Sequence, residues 1–330
     1  MKAMLIDEKR ELVWSEVEKP IPKADEILIK IHAAALNRAD LLQRKGTYPS
    51  PKGWPECMGL EVSGTIEAMG ETAERESGKH IGDRVCALLG GGGYAEYVCA
   101  PFGLVMDMPE TLSFEEAAAL PEAYATCYLN LFYEGHLKAG QTAFIPAGAS
   151  GLASAAIPMA KAFGAKVITS VLTEELAGRI AHLGADVIIN SSVQNVSQVL
   201  KHEAESGHPI NMAMDCLGGK DLGESLPYMA DGGYWVLIST LAGVETNIQL
   251  RPILTKGLHL VGSMLRKRSN AEKAKLLKEL TEKLWPKLEN GEIKPTVYKV
   301  LPIEKAAEAH AILERGENVG KVVLKVATDK

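Results

Sequence analysis

The pattern of hydrophobic and polar positions changes its period near residue 120. Before that point, short β-branched or alternating runs are separated by Gly, Pro and Asp, which predicts strands. Beyond residue 140, short apolar runs alternate with helical patterns. The predicted strands in this part are 141–147, 166–171, 186–190, 210–216, 233–239 and 258–264. The pattern therefore predicts a compact β-barrel-like domain, followed by a parallel sheet with helices on both faces.

Capping boxes mark two of the predicted helices. Ser113 precedes Glu116 at the start of an Ala-rich helix, and Ser269 precedes Glu272 at the start of a long amphipathic helix. A second helical run opens at Pro121 and extends to about residue 136. The chain closes with a strand, a helix and a strand, predicted at 297–300, 303–314 and 321–326.

The stretch 141–165 is the first candidate for a binding site. A short strand runs into the small-residue turn Gly148–Ala153, and an Ala-rich helix follows. Free N–H groups at the start of such a helix can hold a phosphate, and glycine lets the phosphate approach the backbone. Alone, this pattern is also typical of an ordinary structural turn. At the head of a series of alternating strands and helices, it predicts dinucleotide binding.

Composition narrows the class of protein. The 330 residues exceed one typical domain, and the net charge of −6 argues against a nucleic-acid partner. No apolar run reaches the length of a membrane span, and the N-terminus lacks the apolar core of a signal peptide. The five cysteines are scattered, as in a reduced intracellular protein. We therefore expect a cytoplasmic protein without a membrane partner.

Several motifs together resemble a known group. They are ALNRADLLQRKGTYP, GLEVSGTIEAMG, GDRVCALLGGGGYAEYV, PEAYAT, AGASGLASAAI, LGAD, DCLGG and EKAAEAHAILERGENVGKVVL. In this order they resemble the zinc-free quinone oxidoreductases of the medium-chain dehydrogenase/reductase superfamily. The most similar subgroup contains the tumour-suppressor-inducible quinone oxidoreductase, and zeta-crystallin is more distant. The resemblance implies an α/β fold: a GroES-like β-barrel catalytic domain at 1–121 and 266–330, with a doubly wound Rossmann domain at 122–265.

The resemblance also implies roles for individual residues. Tyr48 and Asn37 are the candidate catalytic residues, Tyr48 at the substrate mouth and Asn37 near the nicotinamide. The alternative is that Tyr48 is an aromatic side chain packed under the Pro-rich loop. In the related enoyl-thioester reductases, a tyrosine in a similar context is the proposed proton donor. The candidate cofactor-binding residues are Thr126 near the nicotinamide, Ser150, Gly151 and Leu152 at the pyrophosphate, and Met264, Leu265, Arg266 and Asn318 at the nicotinamide end.

The residues that distinguish NADPH from NADH lie about 20 residues after the glycine turn. A sheet that prefers NAD usually carries an acid at the end of its second strand, and residues 169–173 contain none. This favours NADPH, with NADH open as the alternative. The resemblance places Thr173 at the position of a phosphate-binding serine, and Arg179 is a further candidate. Glu174 and Glu175 add negative charge beside this position.

The sequence predicts no metal. Zinc-dependent relatives hold their metal with an early Cys and His, and the matching positions here are Asn37 and Leu60. Leucine cannot bind zinc and asparagine is a poor zinc ligand. We therefore expect NAD(P)H-dependent reduction of quinones or related conjugated carbonyls by a homodimer or homotetramer. The alternatives are a 2-enoyl-thioester or alkenal reductase, and a weakly catalytic NADPH-binding sensor or RNA-binding protein.

Overall fold

The computed structural model describes residues 1–326. The strands are β1 Lys2–Ile6, β2 Leu12–Glu16, β3 Glu26–Ala35, β4 Glu61–Met69, β5 Arg84–Leu88, β6 Tyr97–Pro101, β7 Val105–Asp107, β8 Thr142–Ile145, β9 Lys166–Val171, β10 Val187–Asn190, β11 Ile210–Asp215, β12 Met229–Leu237, β13 His259–Gly262, β14 Val297–Pro302 and β15 Lys321–Lys325. The α-helices are α1 Arg38–Arg44, α2 Glu71–Glu76, α3 Phe114–Ala118, α4 Pro121–Tyr128, α5 Ala153–Ala162, α6 Glu174–Ile180, α7 Val196–Glu205, α8 Lys220–Ser225, α9 Leu250–Lys256, α10 Asn270–Glu289 and α11 Ala306–Arg315.

The contacts divide the chain into two compact units. The first unit, which we call the outer unit, is Met1–Ala125 together with the segment from Arg266 onward. The second, the inner unit, is Thr126–Leu265. The first boundary between the units follows Ala125, and the second follows Leu265. The predicted domain end at residue 330 lies outside the described residues.

The outer unit is built on one long strand that pairs with three others. The ten-residue strand β3 pairs along its length with β4. Its first half also pairs with β6, and its second half pairs with β15. The sheet then runs in the order β14-β15-β3-β4-β5-β7. The apolar side chains of β3 and β4 are buried with those of α11 in one core, which includes Ile29, Ile31, Val62 and Ile312. This is the β-rich domain that the alternating pattern predicted.

Close backbone approach explains the glycine run at 90–93. A Cβ on Gly59 would lie 2.6 Å from the Cα of Gly93, and a Cβ on Gly90 would lie 2.6 Å from the ring of Trp54. A larger residue at these positions would push the loops apart. The glycine run therefore lies where neighbouring loops come close to its backbone.

The inner unit is a six-stranded parallel sheet in the order β10-β9-β8-β11-β12-β13. Numbered within the unit, this is the order 3-2-1-4-5-6 of a Rossmann fold, so the predicted fold is confirmed. Phe144, Ile168, Ile189 and Trp235 pack in its core. The predicted strands all exist, with ends shifted by a few residues.

Some helices differ from the sequence prediction. α1, α2 and α9 have six or seven residues and were not predicted, because two turns give too few positions for a helical period to stand out. The run from Pro121 begins as α4 and continues as a π-helix at Leu129–Glu134. Both predicted capping boxes, at Ser113 and Ser269, are formed.

Candidate functional site

A buried ion pair joins two strands of the outer unit. The ammonium of Lys321, at the start of β15, lies 2.6 Å from Glu61 Oε1, at the start of β4. The Glu61 side chain is fully buried and that of Lys321 is 6% exposed. Buried charges are costly unless paired and hydrogen-bonded, so the partners of these two groups matter.

Asn37 completes this group. It is the N-cap residue of α1. Its Nδ2 donates to Glu61 Oε1 at 2.9 Å, and its Oδ1 accepts from Lys321 Nζ at 2.8 Å. The ammonium also donates to the Leu36 carbonyl at 2.6 Å, which accounts for all three of its protons. Two residues from strands that are far apart in the sequence thus hold Asn37, which the sequence analysis predicted as catalytic.

A second carboxylate, Glu122, lies beside the pair. Its backbone N–H donates to Glu61 Oε2 at 2.8 Å at the start of α4. Burial, with the charge of Glu61 as a further contribution, raises the pKa of Glu122 to about 7. Burial lowers the pKa of Lys273, whose charge partly offsets the rise in the pKa of Glu122. A group that titrates near neutral pH can exchange protons under ordinary conditions.

Asp40 connects α1 to the core of the outer unit. Its Oδ2 accepts from the Asn37 backbone N–H at 2.8 Å and from the Tyr94 hydroxyl at 2.9 Å. His310 Nε2 lies 3.3 Å from the same hydroxyl. Burial raises the pKa of Asp40 to about 6 and lowers the pKa of His310 to about 4. All three side chains are fully buried, so they support the fold and do not themselves reach a ligand.

Tyr48 and Arg266 form a second group in the outer unit. The guanidinium carbon of Arg266 lies 4.0 Å from the centre of the Tyr48 ring. Its Nη2 donates to the carbonyl of Pro49 at 2.7 Å. Both side chains are half-buried, and the Tyr48 hydroxyl donates to none of residues 1–326. The arrangement fixes the tyrosine ring while leaving its hydroxyl available.

The glycine turn of the inner unit joins β8 to α5. Ala147 takes the left-handed conformation, with φ of 57°, and Gly148 packs against the next strand. A Cβ on Gly148 would lie 2.5 Å from Thr169 Oγ1. Ser150 Oγ accepts from the N–H of Ala153, the first residue of α5. Within residues 1–326, the N–H groups of Gly151 and Leu152 donate to no other residue.

The end of β9 carries no acid. β9 ends at Val171, and Thr173 is the exposed N-cap of α6, where its hydroxyl accepts from the Leu176 N–H at 3.2 Å. Ser191 Oγ donates to the Val171 carbonyl at 3.0 Å. Arg179 is half-buried on α6. The end of the strand and the two residues that follow it therefore carry no carboxylate.

The other predicted cofactor residues lie at the ends of elements. Thr126 is half-buried on α4 and its carbonyl accepts from Asn130 Nδ2 at 2.7 Å. Met264 is 43% exposed beyond β13, and Leu265 is buried. Asn318 is half-buried before β15 and donates to the Gly320 carbonyl at 2.7 Å.

Sequence reasoning missed most of the buried polar group. Glu61 and Lys321 each stand at the head of an apolar strand, and this was the available signal. Nothing in the sequence pairs them, because 260 residues separate the two positions (321 − 61). Asp40, Tyr94 and His310 were missed for the same reason.

The described part of the chain offers neither a metal cluster nor a membrane span. Within residues 1–326, no group of three or more His, Cys, Asp or Glu side chains is arranged to hold a metal ion. Over the same residues, no helix is both long enough and apolar enough to cross a bilayer.

Comparison with known proteins finds similar sequences over most of the chain. Residues 23–110 match the alcohol dehydrogenase GroES-like domain family, and residues 151–282 match the zinc-binding dehydrogenase family. A quinone oxidoreductase from Sus scrofa is 33% identical over 313 residues, which cover 94% of this chain and 92% of that protein.

Solved structures match over almost the whole chain. An NAD-dependent alcohol dehydrogenase has a TM-score of 0.82 at 29% identity, and the match covers 99% of this chain and 100% of that chain. The quinone oxidoreductase from Thermus thermophilus, described also in its complex with NADPH, has a TM-score of 0.81 at 28% identity. That match covers 98% of this chain and 100% of the other.

Proposed function

Because the chain belongs to the quinone oxidoreductase family of the medium-chain dehydrogenases and reductases, an oxidoreductase family, we propose that it reduces quinones or related conjugated carbonyls with NADPH. The observation that carries this proposal is the glycine turn at the head of a Rossmann sheet. The N–H groups of Gly151 and Leu152, which donate to no other described residue, are available to bind a pyrophosphate. We further propose that the inner unit is the dinucleotide-binding domain and the outer unit the catalytic domain.

The residues of the inner unit fit the cofactor. Gly148 lets the turn pack closely against Thr169 and Ile180, and the N–H groups of Gly151 and Leu152 stand before α5. When bound, the nicotinamide supplies the hydride, so the protein's task is to place and stabilise the reactants. We propose that Thr126, Met264, Leu265, Arg266 and Asn318 hold the nicotinamide end, as the sequence predicts.

NADPH is the preferred cofactor in this proposal. The end of β9 lacks the acid that binds the ribose hydroxyls of NAD. Thr173 and Arg179 are the candidate residues for the 2′-phosphate. A quinone oxidoreductase of the same fold was solved with NADPH, although another structural relative is described as NAD-dependent. NADH therefore stays in the test as the competing cofactor.

The proposed reaction needs no zinc. The residues present do not fit the metal, because Leu60 has no donor atom and both ends of the Asn37 amide are already bound to Glu61 and Lys321. Without a Lewis acid to polarise an alcohol, the site is better suited to an acceptor that is already electron-poor, such as a quinone.

The experiment is a steady-state assay of the purified protein. NADPH and NADH are compared, each with 1,4-benzoquinone, 1,4-naphthoquinone and an alkenal, after dialysis against a chelator. We expect quinone-dependent NADPH oxidation that survives chelation, with a higher kcat/KM for NADPH than for NADH. A protein that oxidises neither cofactor with any acceptor would rule out the proposal.

Tyr48 favours a second candidate function, reduction of enoyl thioesters or alkenals. Hydride addition to such a substrate leaves an enolate that must take up a proton, and a phenol can supply it. The Tyr48 hydroxyl makes no hydrogen bond within the described residues, while Arg266 holds its ring. Under this alternative, Tyr48→Phe would lower turnover of enoyl thioesters by about 10²-fold or more. Equal turnover by both proteins would exclude it.

We also propose that the protein is a homodimer that pairs through β13. This strand is the edge of the inner unit's sheet, with Leu260 43% exposed on it and Leu254 83% exposed on the preceding helix. An exposed apolar sheet edge is a template for pairing with a second copy. A cytoplasmic location remains a prediction from the sequence.

A further inference from the structure

The hydrogen bonds of Asn37 determine the orientation of its amide and leave one N–H available. Lysine can only donate and a carboxylate can only accept. The amide oxygen must therefore face Lys321 and the amide nitrogen must face Glu61. The nitrogen carries two protons and uses one of them for Glu61. Its second proton is donated to none of residues 1–326, and the Asn37 side chain is only half-buried.

We propose that the Glu61–Lys321 ion pair is a positioning device that presents the second N–H of Asn37 to a carbonyl oxygen of the substrate. This inference rests on the proposed function and deepens it. Asn37 would be the catalytic residue that touches the substrate, while Glu61 and Lys321 act through it. The ligand class is a carbonyl compound, since a hydrogen-bond donor recognises an acceptor atom.

The direction of the amide matters for the reaction. When a hydride reaches a quinone ring system, negative charge grows on a carbonyl oxygen. A fixed N–H stabilises that charge, whereas the oxygen of a reversed amide would repel it. A free asparagine could adopt either orientation at similar cost. The ion pair excludes the wrong orientation before the substrate arrives, so no reorganisation is needed during the reaction.

The ion pair is itself held rigidly. Lys321 uses its remaining protons for Asn37 Oδ1 and the Leu36 carbonyl, and Glu61 Oε2 accepts from the backbone N–H of Glu122. Both charged groups are therefore fixed by hydrogen bonds on more than one side. This leaves Asn37 as the member of the group with a donor available for a ligand.

The test is the charge-neutral double variant Glu61→Gln with Lys321→Met. The N–H of Glu122 still requires an acceptor, so the oxygen of the new glutamine must face Glu122 and its nitrogen must face Asn37. The glutamine nitrogen then donates a hydrogen bond to Asn37, which turns the Asn37 amide oxygen toward the glutamine. The double variant should therefore reverse the amide without burying an unpaired charge.

A matched control comes from the same strand. Lys325 and Glu115 form an ion pair at 3.0 Å with the lysine side chain 64% exposed. The double variant Lys325→Met with Glu115→Gln removes the same charges outside the buried group. Circular dichroism and thermal unfolding, recorded for all variants, ensure that folded proteins are compared.

We expect the buried double variant to lose about 10²-fold in kcat with 1,4-naphthoquinone, in line with the loss of one oxyanion donor. Its Kd for NADPH should stay within about twofold. The infrared carbonyl stretch of bound 1,4-naphthoquinone should move to higher wavenumber in the double variant, because a hydrogen bond is lost. The control pair should match the wild type in each measurement.

The outcomes separate this inference from the proposed function. An active wild type with an equally active, folded double variant and an unchanged carbonyl stretch would overturn the positioning role alone. Weaker NADPH binding in the double variant, with no change at the quinone carbonyl, would also overturn it, since Asn37 would then serve the cofactor. A wild type that is inactive with every quinone would overturn the proposed function and this inference with it.

Discussion

Asp40→Asn gives the sharpest test of the buried polar group in the outer unit. The carboxyl of Asp40 is fully buried, and burial raises its pKa from 3.8 to about 6, against opposing hydrogen bonds from Asn37 and Tyr94. The folded chain therefore binds more protons than the unfolded chain between these pH values. Stability is lost as the pH rises through this window. Asparagine has nearly the same shape and stays neutral.

The magnitude follows from the two pKa values. At about 1.4 kcal/mol per pH unit, ionising Asp40 in the folded state costs about 3 kcal/mol once the pH is well above 6. Part of this cost is already present at about pH 4.5. The free energy of unfolding of Asp40→Asn, relative to the wild type, should therefore rise by about 2 kcal/mol between pH 4.5 and pH 7.5. A constant offset from exchanging oxygen for nitrogen does not affect this difference.

The assay is urea unfolding across this pH range, followed by tryptophan fluorescence. Trp14, Trp54 and Trp285 lie in the outer unit, so the signal reports mainly on the unit that contains Asp40. The exposed Asp231→Asn substitution is the control for the loss of one charge. A relative stability of Asp40→Asn that is the same at both ends of the pH range would refute the reasoning.

Three further predictions concern other parts of the chain. Burial lowers the pKa of His310 to about 4, so the folded chain should lose stability as the pH falls from 6.5 to 4. In urea unfolding, His310→Gln should make this loss less steep. An equally steep loss in the variant would contradict the prediction. Gly148→Val should weaken NADPH binding at least tenfold in a fluorescence titration, because its Cβ meets Thr169 Oγ1 at 2.5 Å; unchanged affinity would exclude the turn as the pyrophosphate site. Leu260→Asp should shift the protein from dimer to monomer in sedimentation velocity, and an unchanged sedimentation coefficient would argue against pairing through β13.

The fold was largely predictable from the sequence. Alternation between apolar runs and helical stretches after residue 140 predicted the parallel sheet, since this order is typical of one. The short helices α1, α2 and α9 were missed, because six or seven residues hold few positions for a helical period to stand out. α1 is the consequential omission, since its N-cap residue is Asn37 and its first turn carries Asp40.

The candidate site was only partly predictable. Asn37, Tyr48 and the glycine turn stand in motifs that are local in sequence, and a resemblance can transfer such motifs. The partners of Asn37 cannot be found in this way, because Glu61 and Lys321 meet only when β4 and β15 both flank β3. In the sequence, each is one charged residue beside an apolar run. Pairing across 260 residues (321 − 61) is a property of the folded sheet.

We propose above all that this chain transfers hydride from NADPH to a quinone without a metal. The most direct measurement is an anaerobic assay of metal-analysed protein that follows NADPH by its near-ultraviolet absorbance and quantifies the hydroquinone product. We predict one NADPH consumed for each hydroquinone formed, in protein that contains far less than one zinc per chain. NADPH oxidation that requires added zinc, or that yields no hydroquinone, would contradict the account.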